Sequence, residues 1–229
     1  MNTIGATGPW RRRARPLLGT LVEVGLRDGE AAGDGEGAAR AAFEAIAHVQ
    51  ARMSRFDPDS DVSRFHTLAV GEAIAVDPAT AEVLHAARWL HDATDGVFDV
   101  SLGSGARGWR CDGERLERLA PVATLDLGGI AKGYAVDVAV EALRRHGCES
   151  GWVNAGGDLR VFGDARVPVM LRDEAHGGVR PFATVADAAL ASSHFGPQSR
   201  SRAWGLDRGA RACCVSVAAP RCVWADALT

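Results

Sequence analysis

Lysine is nearly missing from this chain: 25 of its 26 basic residues are arginine, and Lys132 is the exception. Tyrosine is as scarce, with Tyr134 the single example two residues away. A basic face is missing too. The formal net charge is −3 and the one dense cationic cluster is Arg11, Arg12, Arg13 and Arg15, which argues against nucleic acid as a partner. No apolar run approaches the ~20 residues of a membrane helix, and Glu23 interrupts the segment from Leu17 to Leu26, so no integral membrane segment is expected. The five cysteines (Cys111, Cys148, Cys213, Cys214 and Cys222) lack the CxxC spacing of zinc sites. They read as reduced, mostly buried thiols, for which the expected setting is the cytoplasm, or the periplasm if an export signal precedes this sequence. The G-x-G-x-x-G at Gly103 to Gly108 opens no expected helix, which weakens any dinucleotide-oxidoreductase reading.

What is present suits a globular protein: 229 residues, 47% hydrophobic and 24% charged, enough for one large domain or a large and a small lobe. Residues 1–15 read as a flexible tail and 16–229 as a single domain, cut short at its C-terminal end. Thr20, Leu21, Val22, Glu23 and Val24 begin a strand. Ala42, Phe43, Ile46, Val49 and Met53 recur at helical spacing and predict a helix over 38–53. Asp77-Pro78 opens a second helix that runs to about Ala93, where Asp95-Gly96 stops it; Val97-Phe98-Asp99-Val100 then reads as extended. A third helix spans about 130–146 and ends at Gly147. Residues 151–154 and 159–162 form a hairpin around Gly156-Gly157, and short strands follow at 167–171, 182–185 and 214–218. Without strict βαβ alternation the expected class is α+β, with mixed or antiparallel sheets and packed helices.

The sharpest local feature is Asp126-Leu-Gly-Gly-Ile-Ala-Lys132-Gly133. A strand that ends in paired glycines and turns into a helix presents free backbone N–H groups at the positive end of the helix dipole, a turn suited to a diphosphate. Asp126 at its mouth would repel a bare phosphate and calls for another partner: a ring N–H, a hydroxyl or a metal. Lys132 supplies a compact point charge where an arginine fork would not fit. The plainer reading, an acidic N-cap region whose glycines pack a helix on a sheet, stays open on spacing alone.

Residues 126–137, DLGGIAKGYAVD, followed by Val153-Asn-Ala-Gly-Gly-Asp-Leu-Arg160, closely resemble the central signature of the ApbE-type FAD:protein FMN transferases. Leu18-Gly-Thr20 is similar to the family's M-G-T element, with Leu in place of Met. The segments at 53–65, 95–100 and 225–229 (ADALT) resemble three further family blocks in the same order. The resemblance implies that FAD is the substrate, contacted by Asp126 and Lys132, the two catalytic candidates. It implies that Phe56 stacks near the flavin or adenine, and that Leu18 with Val97, Phe98 and Asp99 lines the pocket. Magnesium would be held by the Gly129 carbonyl, Asp226 and Thr229. The implied partner is an acceptor flavoprotein with a Ser or Thr flavinylation site, and the implied reaction expels AMP as that hydroxyl attacks the FAD diphosphate. Hard oxygen donors of this kind are what magnesium prefers.

The chain departs from the pattern in two places. The family's H-x-[IL]-D-P segment has no counterpart between Ser199 and Arg211, which leaves the general base unnamed, and His194 carries no local mark of one. Ala225 to Thr229 reads as a first helical turn, too short to hold a helix alone. Two other activities fit the same residues: a FAD-binding module without transfer, and a magnesium-dependent FAD diphosphatase.

Overall fold

Antiparallel sheets and helices make up a computed structural model of the chain, which describes residues 2–4, 10–27, 35–172, 178–194 and 214–229. The architecture is the expected α+β class. It divides into two compact units, Met1–Ala47 with Lys132–Thr229, and His48–Ala131. In chain order, β1 (Asn2–Ile4), β2 (Trp10–Leu17) and β3 (Thr20–Arg27) precede helix α1 (Gly35–Met53). Then come α2 (Asp61–His66), β4 (Ala73–Ala75), α3 (Pro78–Ala93), β5 (Trp109–Asp112) and β6 (Arg115–Arg118). Helix α4 (Ala131–Arg145) is followed by β7 (Gly151–Ala155), β8 (Asp158–Phe162), β9 (Arg166–Arg172), β10 (Val179–Ala186), β11 (Ala189–His194), β12 (Cys214–Ala219) and helix α5 (Cys222–Ala227).

The first unit is built on a six-stranded antiparallel sheet, β12-β11-β8-β7-β3-β2, and a three-stranded one, β1-β9-β10. Trp152, Leu159 and Val161 of the larger sheet share one apolar cluster with Val167, Val169 and Val185 of the smaller. Alternation along β7 and β8 aims these side chains at one face. Two tight turns shape one end of the larger sheet. Leu18-Gly19 joins β2 to β3 with φ of 55° and 68°, and Gly156-Gly157 joins β7 to β8 with φ of 63° and 112°. Positive φ at both central residues matches the right-handed strand twist, which is why glycine prevails there. The two turns touch: a Cβ added to Gly156 would fall 2.5 Å from Thr20 Oγ1.

The second unit sets α2 and α3 with the small sheet β4-β6-β5, burying Val62, Phe65, Val83, Leu84, Ala87, Leu90 and Leu116. Helix α3 starts as its sequence predicts, with Asp77 Oδ1 accepting from the Ala79 amide at 2.9 Å and Pro78 in the first turn.

Three expectations need correction. Residues 1–15 are not a loose tail where they are described: β1 pairs with β9, and β2 forms a full ladder with β3 at the sheet edge. The arginines that disguised β2 lay their guanidinium groups over aromatic rings, Arg12 over Trp152 at 5.1 Å and Arg15 over Phe43 at 4.9 Å. Next, Val97 to Val100 is a chain of turns, because the Phe98 amide donates to Thr94 Oγ1 and the Asp99 carboxylate captures the Ser101 and Gly103 amides. Finally, Ala225 to Ala227 close the helix α5 that Cys222 begins, where the sequence reads as the opening of one. The segment from Ser199 to Arg211 lies outside the described residues, as does the side chain of His194.

Candidate active site

In the first unit the site forms where α4 meets α5. Gly133 allows the approach: a Cβ there would lie 2.3 Å from the Cys222 carbonyl oxygen and 2.6 Å from Asp226 Cβ, so only glycine lets the helices come this close. The Gly133 amide donates to Asp226 Oδ2 at 2.8 Å. Lys132 Nζ donates to Asp226 Oδ1 at 3.2 Å and, more closely, to Asp158 Oδ2. Both carboxylates are nearly closed to solvent, at 3% exposure for Asp158 and 8% for Asp226. Buried carboxylates are costly unless paired, and Lys132 is the cation that pairs them.

A helix as short as α5 needs outside help to nucleate. Asp137, one turn beyond Gly133 on α4, provides it: Oδ1 accepts from the Cys222 amide at 2.9 Å and Oδ2 from the Val223 amide at 3.0 Å. The Arg160 guanidinium balances that carboxylate. Past the last turn, Thr229 Oγ1 donates to the Asp226 carbonyl at 2.8 Å and accepts from Ser193 Oγ at 3.0 Å. Leu18 sits half-buried in its hairpin turn at a φ of 55°, where a side chain pays about 1–2 kcal/mol. Strain of that kind gathers at functional sites.

In the second unit, Asp126 is already balanced. Its Oδ2 accepts from Arg55 Nη1 at 2.6 Å and its Oδ1 from the Gly128 amide at 2.9 Å. The Asp126 amide donates to the Val100 carbonyl at 2.8 Å, which brings the segment of Val97, Phe98 and Asp99 beside it. Phe98 Cε2 lies 3.9 Å from where a Cβ on Gly129 would stand. Phe56 is 84% exposed and Val97 75%, large apolar surfaces left facing solvent. Arg55 also lies 5.1 Å from the Phe56 ring centre. Burial works to raise the Asp99 pKa, but hydrogen bonds from the Ser101 hydroxyl and amide and the Gly103 amide, with His91 nearby, hold the carboxyl below its ordinary range. His66 Nε2 accepts from the Leu125 amide at 2.9 Å; burial, then Arg118 and Arg55, push that imidazole down, against a smaller opposing pull from Asp126.

The expected residues thus fall into two sets. Leu18, Lys132, Asp226 and Thr229 belong to the first unit, and Phe56, Val97, Phe98, Asp99, Asp126 and Gly129 to the second. Lys132 and Asp226 touch, and Thr229 closes onto the Asp226 backbone. A cavity of about 560 Å³ elsewhere in the second unit, lined by Arg88, Trp89, Trp109 and Cys111, contains none of them. Three partners escaped sequence reasoning: Arg55, Asp137 and Asp158. Each stands inside a quoted motif, and the signal was available, since a buried ion needs a counter-ion.

The first unit's carboxylate–lysine junction between α4 and α5 and its strained β2–β3 turn, and the second unit's glycine turn after Asp126, belong to an α+β fold of antiparallel sheets and packed helices. Residues 18–195 match the model of the ApbE family, and the chain belongs to that family. The FAD:protein FMN transferase of Vibrio cholerae is 28% identical over 147 residues, 52% of this chain and 44% of that protein. The one of Treponema pallidum is 25% identical over 220 residues, 79% of this chain and 61% of its own length. The Rhodobacter capsulatus enzyme of the same name is 29% identical over 182 residues, with 65% and 34% covered. The chain therefore spans between about a third and three fifths of these relatives. Flavin transferase ApbE from Vibrio cholerae superposes with a TM-score of 0.80 at 22% identity, covering 96% of this chain and 85% of that one. Pseudomonas stutzeri flavinyl transferase ApbE gives 0.81 at 20% identity, with 96% and 82% covered. These likenesses establish the fold.

Proposed function

We propose that the chain is a magnesium-dependent transferase that moves FMN from FAD onto a Ser or Thr hydroxyl of a flavoprotein, with release of AMP. One observation carries the reading: Lys132 and the Gly133 amide converge on Asp226, a nearly buried carboxylate with the Thr229 hydroxyl one turn away. The names of the curated relatives support the same activity.

The family resemblance assigns magnesium to the Asp226 carboxylate, Thr229 and the Gly129 carbonyl, which are hard oxygen donors of the kind that ion prefers. A site with one carboxylate suits an ion that keeps waters and takes substrate phosphate oxygens. When bound, the ion would neutralise charge developing on the diphosphate. The remaining work falls to the chain. Lys132 offers a point charge to a phosphate or flavin oxygen. Asp126, held in place by Arg55, offers an acceptor to a ring N–H or hydroxyl without presenting a bare anion. In the second unit Phe56 provides an exposed ring for stacking, with the exposed Val97 and its neighbours Phe98 and Asp99 as further flavin contacts; in the first, Leu18 is the residue the resemblance assigns to the flavin. In-line attack by the acceptor hydroxyl breaks the phosphoanhydride bond, and AMP leaves with the electron pair.

The test is to incubate the protein with FAD, magnesium and a Ser- or Thr-containing acceptor, then to measure AMP and covalent flavin fluorescence on the acceptor. Both products are expected, and Asp226→Ala should abolish both. AMP without labelled acceptor would indicate a diphosphatase. Bound flavin with neither product would reduce the chain to a binding module.

A further inference from the structure

We infer that Asp158 is a positioning residue of this site: it draws the Lys132 ammonium away from Asp226, so that lysine and a divalent cation compete for a single carboxylate. The inference rests on the reading of Asp226 as a metal ligand. Asp158 is the first residue of β8, fixed opposite Ala155 just past the Gly156-Gly157 corner, and its side chain is 4% exposed. The Asp226 side chain is 7% exposed and that of Lys132 30%. Two buried carboxylates therefore share one ammonium and leave one negative charge over, which favours a further cation.

The sharing is uneven. Asp226 has the Gly133 amide as a second donor at 2.8 Å, while Lys132 lies closer to Asp158 than to Asp226. When a cation takes Asp226, the ammonium still has Asp158 to rest on and stays in the site. This arrangement accounts for the single lysine in a chain that otherwise uses arginine. A compact ammonium on a flexible stem can serve two carboxylates and release one, whereas a planar guanidinium fork would bind one carboxylate bidentately and hold it.

Removing either member of an ion pair that serves only to hold the fold would loosen the site, and metal affinity would move the same way in both variants. Competition predicts opposite signs. In Asp158→Asn the ammonium falls wholly onto Asp226, and cation binding weakens. In Lys132→Met Asp226 is released, and cation binding tightens. A neighbouring opposite charge at this range shifts a carboxylate's ion affinity by about tenfold or more, and changes of about that size are expected.

The measurement is Mn²⁺ affinity of the full chain, free of FAD, by electron paramagnetic resonance, with a thermal melt for each variant. Lys132→Met should bind Mn²⁺ about tenfold more tightly than the unaltered protein and Asp158→Asn about tenfold more weakly. Adding Asp158→Asn to Lys132→Met should have a smaller effect than Asp158→Asn alone, since its route runs through the lysine. Shifts of the same sign overturn the inference, as does an equal effect of Asp158→Asn in both backgrounds. Asp226→Asn separates the two layers: if it leaves Mn²⁺ binding unchanged, the metal reading itself fails, whatever the other variants do.

Discussion

Replacing Gly133 with alanine tests the junction on which the site is built. The added methyl carbon would stand 2.3 Å from the Cys222 carbonyl oxygen and 2.6 Å from Asp226 Cβ, about an ångström inside ordinary contact. Neither obstacle is the far end of a flexible side chain, so α5 has to move. Overpacking of this kind costs about 1–3 kcal/mol, and lengthening the Gly133 amide bond to the Asp226 carboxylate forfeits part of the ~1.5–3 kcal/mol of a charged hydrogen bond. Alanine recovers about 1 kcal/mol over glycine inside a helix. The balance is a loss of roughly 2 kcal/mol, a melting temperature lower by about 4–8 °C for a chain of this size, and weaker Mn²⁺ binding because Asp226 moves with α5. Gly147→Ala is the control. It adds a methyl with nothing within 4 Å but at a φ of +78°, so it should cost about 1 kcal/mol and leave metal affinity alone. Calorimetric melts with and without Mn²⁺ decide the matter. The close-approach account is refuted if Gly133→Ala melts at or above the unaltered protein and binds metal equally well.

Other perturbations report on separate parts of the molecule. Asp137→Ala removes the acceptor for the Cys222 and Val223 amides and strands the Arg160 guanidinium, so a loss of about 3–5 kcal/mol in urea denaturation is expected, and a loss below 1 kcal/mol would refute the capping role. Phe56→Ala should leave stability within about 0.5 kcal/mol, since the ring is 84% exposed, yet cost roughly 1–3 kcal/mol of FAD affinity by flavin fluorescence titration; unchanged affinity would exclude stacking. Leu18→Gly relieves a positive φ and should stabilise the β2–β3 hairpin by up to about 1 kcal/mol while weakening FAD binding, which the same melts and titration will show. His66 has a folded pKa held below its ordinary 6.5, chiefly by burial. The unfolded chain therefore binds this proton more readily, so its contribution is full above about pH 6.5 and is lost as pH falls through the folded value. Melting temperatures from pH 7.5 to 5 should fall less steeply for His66→Gln, and parallel slopes would rule His66 out.

Periodicity and local turn chemistry determined much of this protein before any coordinates. The apolar spacing of α1, the Asp77-Pro78 start of α3, the Gly147 stop of α4 and the Gly156-Gly157 corner all depend on interactions within a few residues, which a sequence displays directly. The solitary Lys132 likewise marked itself by composition alone. Tertiary structure decided what depends on distant partners. Strand β2 was hidden because its arginines look solvated until Trp152 and Phe43 lie under them. Helix α5 looked too short to persist until Asp137, 85 residues earlier, accepted its first amide. Asp126 looked repellent to phosphate until Arg55 balanced it from 71 residues away. Charge pairing is long-ranged along the chain and short-ranged in space, so a sequence reveals which ions need partners, and only the fold reveals which partners they find.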